Sequence, residues 1–168
     1  VVDALSKLFL LLIRLADKEA TDLAVRVNLL NRILNAIAKA LVDHHEAKKR
    51  VTAAAPSHVQ ALFDQRPYYR LLSNLVQDMG IPDGKTEVNP QLLPILNTYT
   101  SVFLVLQPVY VHGFAFAWLQ LVTHRSFMAN LMMIPGQKGW PLMHKILLSQ
   151  LIFLQPFLKN AQLNDSIR

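Results

Sequence analysis

The chain has 168 residues, of which 52% are hydrophobic and 17% are charged, and its formal net charge is +6. Disordered segments have lower hydrophobicity and more charge, so the composition excludes a disordered tail. Cysteine is absent, which excludes disulfide scaffolds, cysteine-ligated metal centres and cysteine nucleophiles. The length suits a single domain of ordinary size or a fragment of a larger one.

The charged residues are distributed unevenly along the chain. Residues 1–84 have 11 basic and 9 acidic side chains, whereas residues 85–168 have 6 basic and 2 acidic ones. No acidic residue occurs between Glu87 and Asp165, and the charged residues in that interval are Arg125, Lys138, Lys145 and Lys159. Four charged residues are too few to form a polar face over an interval of this length. We therefore expect that either the rest of the chain buries this stretch or a partner covers it.

The apolar runs are too short for a membrane span. The longest, Leu8–Ile13 and Phe114–Leu119, fall far below the roughly 18–20 residues that a spanning helix requires. The apolar start of the chain contains Asp3 and Lys7 and has no small-residue cleavage site, which argues against a signal peptide. We therefore expect a soluble protein with a large apolar surface to bury.

The first two predicted helices each have a continuous apolar stripe. The first covers roughly Asp3 to Ala16, and after a charged break at residues 17–19 the second has Thr21 as a suitable N-cap. The stripe of the second helix predicts packing against neighbouring helices, and a coiled coil is the alternative for it. The stripe of the first helix consists of Leu5, Leu8, Phe9, Leu12 and Ile13. The stripe of the second consists of Leu23, Val27, Leu30, Leu34, Ile37 and Leu41.

Proline and glycine mark the middle of the chain. The polar residues 43–57 fit either an extension of the second helix or a connector. Pro67 suits the first turn of a third helix that runs to Met79 and ends at Gly80. The loop over residues 81–89 is the clearest break in the sequence. The inward residues of the third helix are predicted to be Leu71, Leu72, Leu75 and Val76.

Four further helices are predicted after this loop, with a short piece through Ala161 at the end. Asn89 is the N-cap of the first of them, and Pro156 ends the last. Seven or eight helices without a credible strand predict an all-α fold, a single helical domain over residues 1–168. Their number favours a HEAT-like α-α solenoid over a four-helix bundle. The four helices cover residues 89–106, 114–122, 125–134 and 141–155.

Enzyme signatures are missing from the sequence. The five glycines are scattered, so neither a phosphate-binding loop nor a dinucleotide fingerprint is present. His112, His124 and His144 have no nearby carboxylate to orient them as bases or metal ligands. We therefore predict no catalytic residue, no metal and no cofactor. An enzyme that uses His124 or His144 is the alternative, for which the sequence supplies no partner group.

Two basic segments suit single-stranded RNA. Lys48–Arg50 is a basic run, and residues 66–70 alternate cations with tyrosines, as single-strand binders do. Asp43, Glu46 and Asp64 dilute this charge, and helical spacing places Tyr69 on a core face. A solvated charged face is the favoured interpretation, and an RNA-binding module is the alternative function.

Aromatic residues and methionines are concentrated in the charge-poor half. The segments Phe114–Met128 and Gln137–Pro141 contain both tryptophans of the chain. Aromatic and methionine-rich surfaces recur at interfaces, so one interpretation is a groove for apolar peptide anchors. The other is a solenoid core with Trp118 locked between helices, and the sequence leaves both open.

Four stretches, taken together and in order, carry a specific family resemblance. They are DQRPYYRLL from Asp64, GFAFAWLQLVTHRSFM from Gly113, QKGWP from Gln137 and PFLKNAQL from Pro156. The chain resembles, over about residues 64–163, the C-terminal homology domain of the NOT-one family, the scaffold subunits of the CCR-four–NOT deadenylase complex. The resemblance implies that the chain is roughly the first half of that domain.

The resemblance also implies what the protein does. It implies a non-catalytic solenoid in a complex that shortens messenger RNA poly(A) tails through nuclease subunits held elsewhere. The implied partners are NOT-two, NOT-three or NOT-five, and short apolar motifs of RNA-binding repressors, in the cytoplasm, including P-body sites, and in the nucleus. Helix capping or local ion pairing is the alternative role for Arg66, Arg125 and Lys138, which are among the candidate contacts. Those contacts are Arg66, Tyr69, Arg70, Trp118, Arg125, Phe127, Lys138 and Trp140.

Overall fold

The computed structural model describes residues 1–19, 23–54, 63–78 and 92–159, and these contain seven α-helices, two 3₁₀ turns and no strand. The 3₁₀ turn His112–Phe114 precedes α5, and the 3₁₀ turn Pro135–Gln137 joins α6 to α7. The prediction of an all-α fold with seven or eight helices is confirmed. The α-helices are α1 (Val2–Glu19), α2 (Leu23–Ala54), α3 (Arg66–Gln77), α4 (Leu92–Val105), α5 (Ala115–Val122), α6 (Arg125–Met133) and α7 (Trp140–Lys159).

The helices pack in two rows along the array. α1 contacts α3 and α3 contacts α5, while α2 contacts α4 and α4 contacts α7. α1 also lies against α2, and α6 lies against α3, α4 and α7. Rows of helices in contact are typical of an α-α solenoid, because each unit of a solenoid packs against the units before and after it.

The first two helices are longer than the sequence predicts. α1 continues through the charged residues 17–19, and α2 continues through the polar residues 43–54. The interpretation of the polar stretch as a helix extension is therefore correct, and its lysines, alanines and glutamate are good helix formers. The predicted N-cap Thr21, the predicted loop with its flanking Gly80 and Asn89, and the short piece at Ala161 lie outside the described residues.

The apolar stripes of α2 and α3 form the core of the first half. Pro67 lies in the first turn of α3, where its missing N–H costs no helical hydrogen bond. The prediction that both stripes face the core is confirmed, and α2 uses its stripe against the helices of its own chain. The buried stripe residues are Leu30, Leu34, Ile37 and Leu41 on α2 and Leu71, Leu72, Leu75 and Val76 on α3.

The stripe predicted for α1 is only partly buried. Ile13 is buried and Phe9 is half-buried, but Leu5, Leu8 and Leu12 are exposed. The cause is that α1 rests against both α2 and α3, so a face about 90° away from these leucines is turned inward. One apolar stripe of α1 is thus divided between the core and the surface.

Aromatic side chains fill the core of the second half. The indole N–H of Trp118 donates to the carbonyl of Phe103 at 2.7 Å, and the ring of Phe103 meets that of Phe127 edge to face at 5.1 Å. The hydroxyl of Tyr99 donates to the carbonyl of Leu75 at 2.9 Å, which links α4 to α3. A fully buried aromatic ring with a satisfied polar atom is a strong contribution to stability.

A glycine turn fixes how α7 leaves α6. A Cβ atom at Gly139 would lie 1.9 Å from the carbonyl oxygen of Leu131, so no other residue allows this close approach of the two backbones. Gly136 has a φ of 65°, which is in the left-handed region that favours glycine. These two residues set the direction of α7.

α7 does not end at Pro156, in contrast to the prediction, and continues to Lys159. A proline inside a helix removes the hydrogen bond to the carbonyl four residues earlier, which here belongs to Ile152. Ile152 is exposed, so water is able to satisfy that carbonyl. The missing hydrogen bond therefore lies only three residues before the C-terminal end of α7.

Candidate docking surface

The outer face of α7 is the largest exposed apolar feature that the second half presents along one described helix. Trp140 is 53% exposed, Leu148 48% and Leu151 59%, and Leu147 and Ile152 are exposed to a similar extent. These five residues, together with Leu158, are called the α7 stripe below. Isolated exposed apolar residues are ordinary, but a continuous row of them marks an interaction surface.

Helical geometry places the α7 stripe on one side of the helix. At about 100° per residue, Trp140, Leu147, Leu151 and Leu158 lie within about 40° of one another around the helix axis. Leu148 and Ile152 lie about 80° and 120° around the axis from Trp140, so they extend the exposed apolar face towards one side. α7 has 20 residues and is therefore about 30 Å long, so the stripe suits an elongated partner segment.

The opposite face of α7 holds the helix rigidly on the solenoid. Leu142, Met143 and Ile146 are buried against the core, and α7 contacts α4 and α6. The hydroxyl of Ser149, itself buried, hydrogen-bonds to the side-chain oxygen of Gln107 at the end of α4. An anchored helix with an uncovered apolar face is preorganised for docking, since little order is lost when a partner binds.

Every charged side chain near this surface is basic. Arg125, Lys138, Lys145 and Lys159 are all exposed, and the described residues 92–159 contain no aspartate or glutamate. Lys159 and Lys145 lie about 20° and 60° around the helix from Leu148. The exposed face of α7 therefore has two lysines on the side of Leu148, while His144 and Gln155, about 40° and 60° around the helix from Trp140, lie among its apolar residues.

Two of the predicted contact residues lie in the core. Trp118 and Phe127 are fully buried, because α5 and α6 turn them towards α4. A partner on the surface does not reach them, so their prediction as direct contacts is wrong, and the interpretation of Trp118 as a core residue is correct. Trp118 and Phe127 therefore belong to the core of the second half.

The predicted contacts on α3 do not join the α7 stripe. Arg70 pairs with Asp3 of α1 at 2.7 Å, and Tyr69 is half-buried against the core. Arg66 is exposed, and its backbone N–H donates to the carboxylate of Asp64 at 3.1 Å. Of these three residues, Arg70 links α3 to α1.

The remaining three predicted contacts, Arg125, Lys138 and Trp140, are exposed in the second half. Trp140 begins the α7 stripe, and Lys138 precedes it in the turn between α6 and α7. The sequence therefore identified one end of the surface. It missed the leucines of α7, although the spacing of residues 140, 147, 151 and 158 was a usable signal once the helix ends were known.

The tyrosines of the proposed RNA-binding segment are turned towards the protein. Tyr68 is half-buried, and its hydroxyl lies 3.3 Å from Nδ1 of His44. Burial raises the pKa of Tyr68. Nearby, Lys49 lies 4.0 Å from Glu46, so part of the basic run on α2 faces an acid of its own helix. This geometry does not form a stacking platform for bases.

Two histidines accept backbone N–H groups of the protein. His124 is the N-cap of α6, and its Nδ1 accepts the backbone N–H of Ser126 at 3.3 Å. Nε2 of His45, on α2, accepts the backbone N–H of Gly113 at 3.4 Å. Burial lowers the pKa of His45. Among the described residues, no cluster of three acids or histidines forms a metal site, and no helix has the length and hydropathy to cross a membrane.

Comparison with known proteins places this architecture in a family. The family description "CCR4-Not complex component, Not1" matches residues 81–168. The CCR4-NOT transcription complex subunit let-711 of Caenorhabditis elegans is 34% identical over 99% of this chain. General negative regulator of transcription subunit 1 of Saccharomyces cerevisiae is 26% identical over 70% of it. The chain spans 6% of the length of each of these two relatives.

Solved structures agree with the fold. The NOT1 superfamily homology domain from Chaetomium thermophilum matches with a TM-score of 0.73 and 25% identity, over 94% of this chain and 28% of that one. A Not1 C-terminal domain, solved in complex with Not4, matches with a TM-score of 0.69 and 24% identity, over 91% of this chain and 30% of that one. The second likeness is one of fold alone.

Proposed function

Because this chain belongs to the Not1 family of CCR4-Not complex components, we propose that it is a non-catalytic section of a scaffold that docks other subunits of that complex. In this proposal its role in messenger RNA deadenylation and translational repression is to hold proteins together, in the cytoplasm and the nucleus, while other subunits cleave RNA. The proposed partners are subunits of the NOT-two and NOT-three or NOT-five type, and short apolar motifs of RNA-binding repressors.

The observation that carries this proposal is the exposed α7 stripe. An anchored helix that leaves tryptophan, leucine and isoleucine in water has an unfavourable surface until another polypeptide covers it. The second half has too few charges to make this face polar. A related Not1 C-terminal domain was solved with Not4 bound, which supports the idea that such solenoids bind proteins.

The experiment that tests this function replaces apolar stripe residues by a charge. The double variant Leu148→Asp/Leu151→Asp, made in the scaffold within its native complex, is expected to lose at least one of the proposed subunits on affinity purification. The matched control is Leu5→Asp/Leu8→Asp, which places the same two charges on exposed leucines of α1. Circular dichroism checks that both variants fold. Full retention of all subunits by the α7 variant would contradict the proposal.

The RNA-binding alternative makes a different prediction. Binding through phosphates weakens steeply as salt rises, and it does not depend on Leu148 or Leu151. The half-buried Tyr68 and Tyr69 do not favour it. A filter-binding titration with single-stranded RNA at low salt is expected to show no saturable binding, and saturable binding that is lost on substitution of Lys48–Arg50 would establish the alternative.

A further inference from the structure

Two histidine rings accept backbone N–H groups at the two ends of α5. Before the helix, Nε2 of His45 on α2 accepts the N–H of Gly113, in the 3₁₀ turn that leads into α5, at 3.4 Å. After the helix, Nδ1 of His124 accepts the N–H of Ser126 at 3.3 Å and so forms the N-cap of α6. A histidine nitrogen accepts a hydrogen bond only when it carries no proton, so both contacts require a neutral ring.

α5 is the shortest α-helix of the described residues, with eight residues. Its own N-cap, Phe114, makes no side-chain hydrogen bond to the helix. A helix of this length is unstable in water by itself, so its tertiary contacts maintain it. The fully buried Trp118 and Leu121 hold the middle of α5 in the core, and the two histidine contacts hold the segments at its ends.

The surroundings of His45 favour the neutral ring. The imidazole is buried, and the carboxylate of Glu46 lies 3.8 Å from its Nδ1. Burial lowers the pKa of His45, Lys49 of α2 and His112 of the 3₁₀ turn lower it further, and Glu46 opposes them. Once acid protonates the ring, Nε2–H faces the N–H of Gly113, and two donors do not form a hydrogen bond.

A proton on His124 is also unfavourable. Protonated Nδ1 no longer accepts the N–H of Ser126, and the new positive charge lies at the N-terminal end of α6, where the helix dipole disfavours it. Arg125 follows directly in the chain. The helices α3, α4, α5 and α7 pack against α6 and contain no aspartate or glutamate to offset the charge. The bases on these four helices are Arg66, Arg70, His144, Lys145 and Lys159.

We propose that His45 and His124 form a pH-dependent switch that holds both ends of α5 at neutral pH and releases them in weak acid. This inference goes beyond the proposed docking function and does not depend on which surface a partner covers. With both rings neutral, α5 stays closed against the core. With both rings protonated, its amides open to solvent more often. Because two protons act on one helix, this opening is expected to depend more steeply on pH than the titration of one histidine.

His44 provides an internal comparison beside His45. Its Nδ1 lies 3.3 Å from the hydroxyl of Tyr68, and that hydroxyl donates to the carbonyl of Ala40 at 3.4 Å. A hydroxyl both donates and accepts, so a protonated His44 is able to donate to Tyr68 while Tyr68 donates to Ala40. Protonation therefore preserves the contact of His44, whereas it breaks the contacts of His45 and His124, whose partners are N–H groups that only donate.

Hydrogen exchange of the full chain, followed by mass spectrometry and corrected for the intrinsic pH dependence of exchange, tests the switch. The amides of α5 are expected to open about tenfold more often at about pH 5 than at about pH 7.5, while those of α4 stay protected. His45→Gln/His124→Asn keeps an acceptor at each position but does not titrate in this range, and is expected to keep α5 protected in acid. His44→Gln, the matched control, is expected to open as the native chain does.

The single variants His45→Gln and His124→Asn are each expected to show a shallower pH response than the native chain, and circular dichroism at neutral pH checks that all variants fold. Equal protection of α5 across the pH range would overturn the inference. Loss of protection in all helices together would also overturn it, because acid would then unfold the whole chain. A flat response in His44→Gln would place the proton-sensitive contact at His44 instead. None of these outcomes affects the proposed docking function, which is tested at α7.

Discussion

The two halves of the molecule differ in how polar side chains link their helices. In the first half, such side chains join α1 to α3 in addition to the apolar core: Asp3 pairs with Arg70, Arg14 pairs with Asp78, and the amide of Asn74 donates to the hydroxyl of Ser6. In α4 to α7, the links between helices are mainly apolar and aromatic. Trp118 and Phe127 are fully buried there, and the described residues of that half include no acid.

This difference explains where a partner is expected. The first half has charges of both signs and uses several of them between its own helices. The second half has four cations, no acid of its own among residues 92–159, and a helix whose outer face is apolar. A surface with an apolar stripe and positive charges beside it is complementary to a polypeptide segment that has apolar and acidic residues.

The largest expected effect comes from the core of the second half. Trp118→Ala removes a fully buried indole and its hydrogen bond to Phe103, and is expected to lower the free energy of unfolding by about 3–5 kcal/mol. Trp140→Ala, the matched control, removes an exposed indole and is expected to change stability by less than about 0.5 kcal/mol. Urea unfolding followed by circular dichroism measures both. Similar losses for the two variants would contradict the assignment of Trp118 to the core and Trp140 to the surface.

An intermediate effect is expected at the contact between the halves, where His45 of α2 accepts the N–H of Gly113. Burial lowers the pKa of His45; Lys49 and His112 lower it further, and Glu46 opposes them. The unfolded chain therefore binds this proton more readily than the folded one, and stability is expected to fall as pH drops through about 6.5 and to level off below the folded-state pKa.

Thermal unfolding between about pH 7.5 and 5 measures this dependence. His45→Gln keeps an acceptor near Gly113 but does not titrate in this range, so its unfolding temperature is expected to vary less with pH than that of the native chain. Hydrogen exchange of the Gly113 amide provides a local readout, because this amide is expected to lose protection in acid. An unchanged pH profile in His45→Gln would show that the contact does not report on protonation.

The smallest effect is expected from the ion pairs of the first half. Asp3 and Arg70 are both largely exposed, and such pairs typically contribute 0.2–1 kcal/mol. A double-mutant cycle with Asp3→Asn and Arg70→Gln is expected to give a coupling energy in that range, reduced in 1 M salt. A coupling above about 2 kcal/mol would mean that α1 is held mainly by charge, and the contrast between the halves would then be stronger than the structure suggests.

Much of the fold follows from local patterns in the sequence. The apolar spacing on α2 and α3 predicts their buried faces, and Pro67 predicts where α3 begins, because these signals act within one or two turns of helix. The predicted ends of α1 and α7 were too early. Charged residues such as 17–19 do not by themselves end a helix, and Pro156 lies so close to the end of α7 that it frees only one carbonyl near the exposed end of the helix.

The docking surface could be predicted less well from the sequence than the helices could. A stripe of leucines on α1 has the spacing of a core face, yet the structure exposes Leu5, Leu8 and Leu12. A tryptophan in an aromatic segment suits both a core and a groove, and the structure buries Trp118 while it exposes Trp140. Which apolar face is covered depends on the directions of neighbouring helices, and a single sequence does not state those directions.

The amino-acid sequence by itself determined the helical class of the chain, the family resemblance and the acid-free second half, because each of these depends on residue identity and short-range spacing. Only the tertiary structure decided which apolar stripes are buried and which of them faces solvent. The physical reason is that burial depends on the way in which successive helices cross, and the turn at Gly136 and Gly139, where two backbones approach closely, sets that geometry for α7.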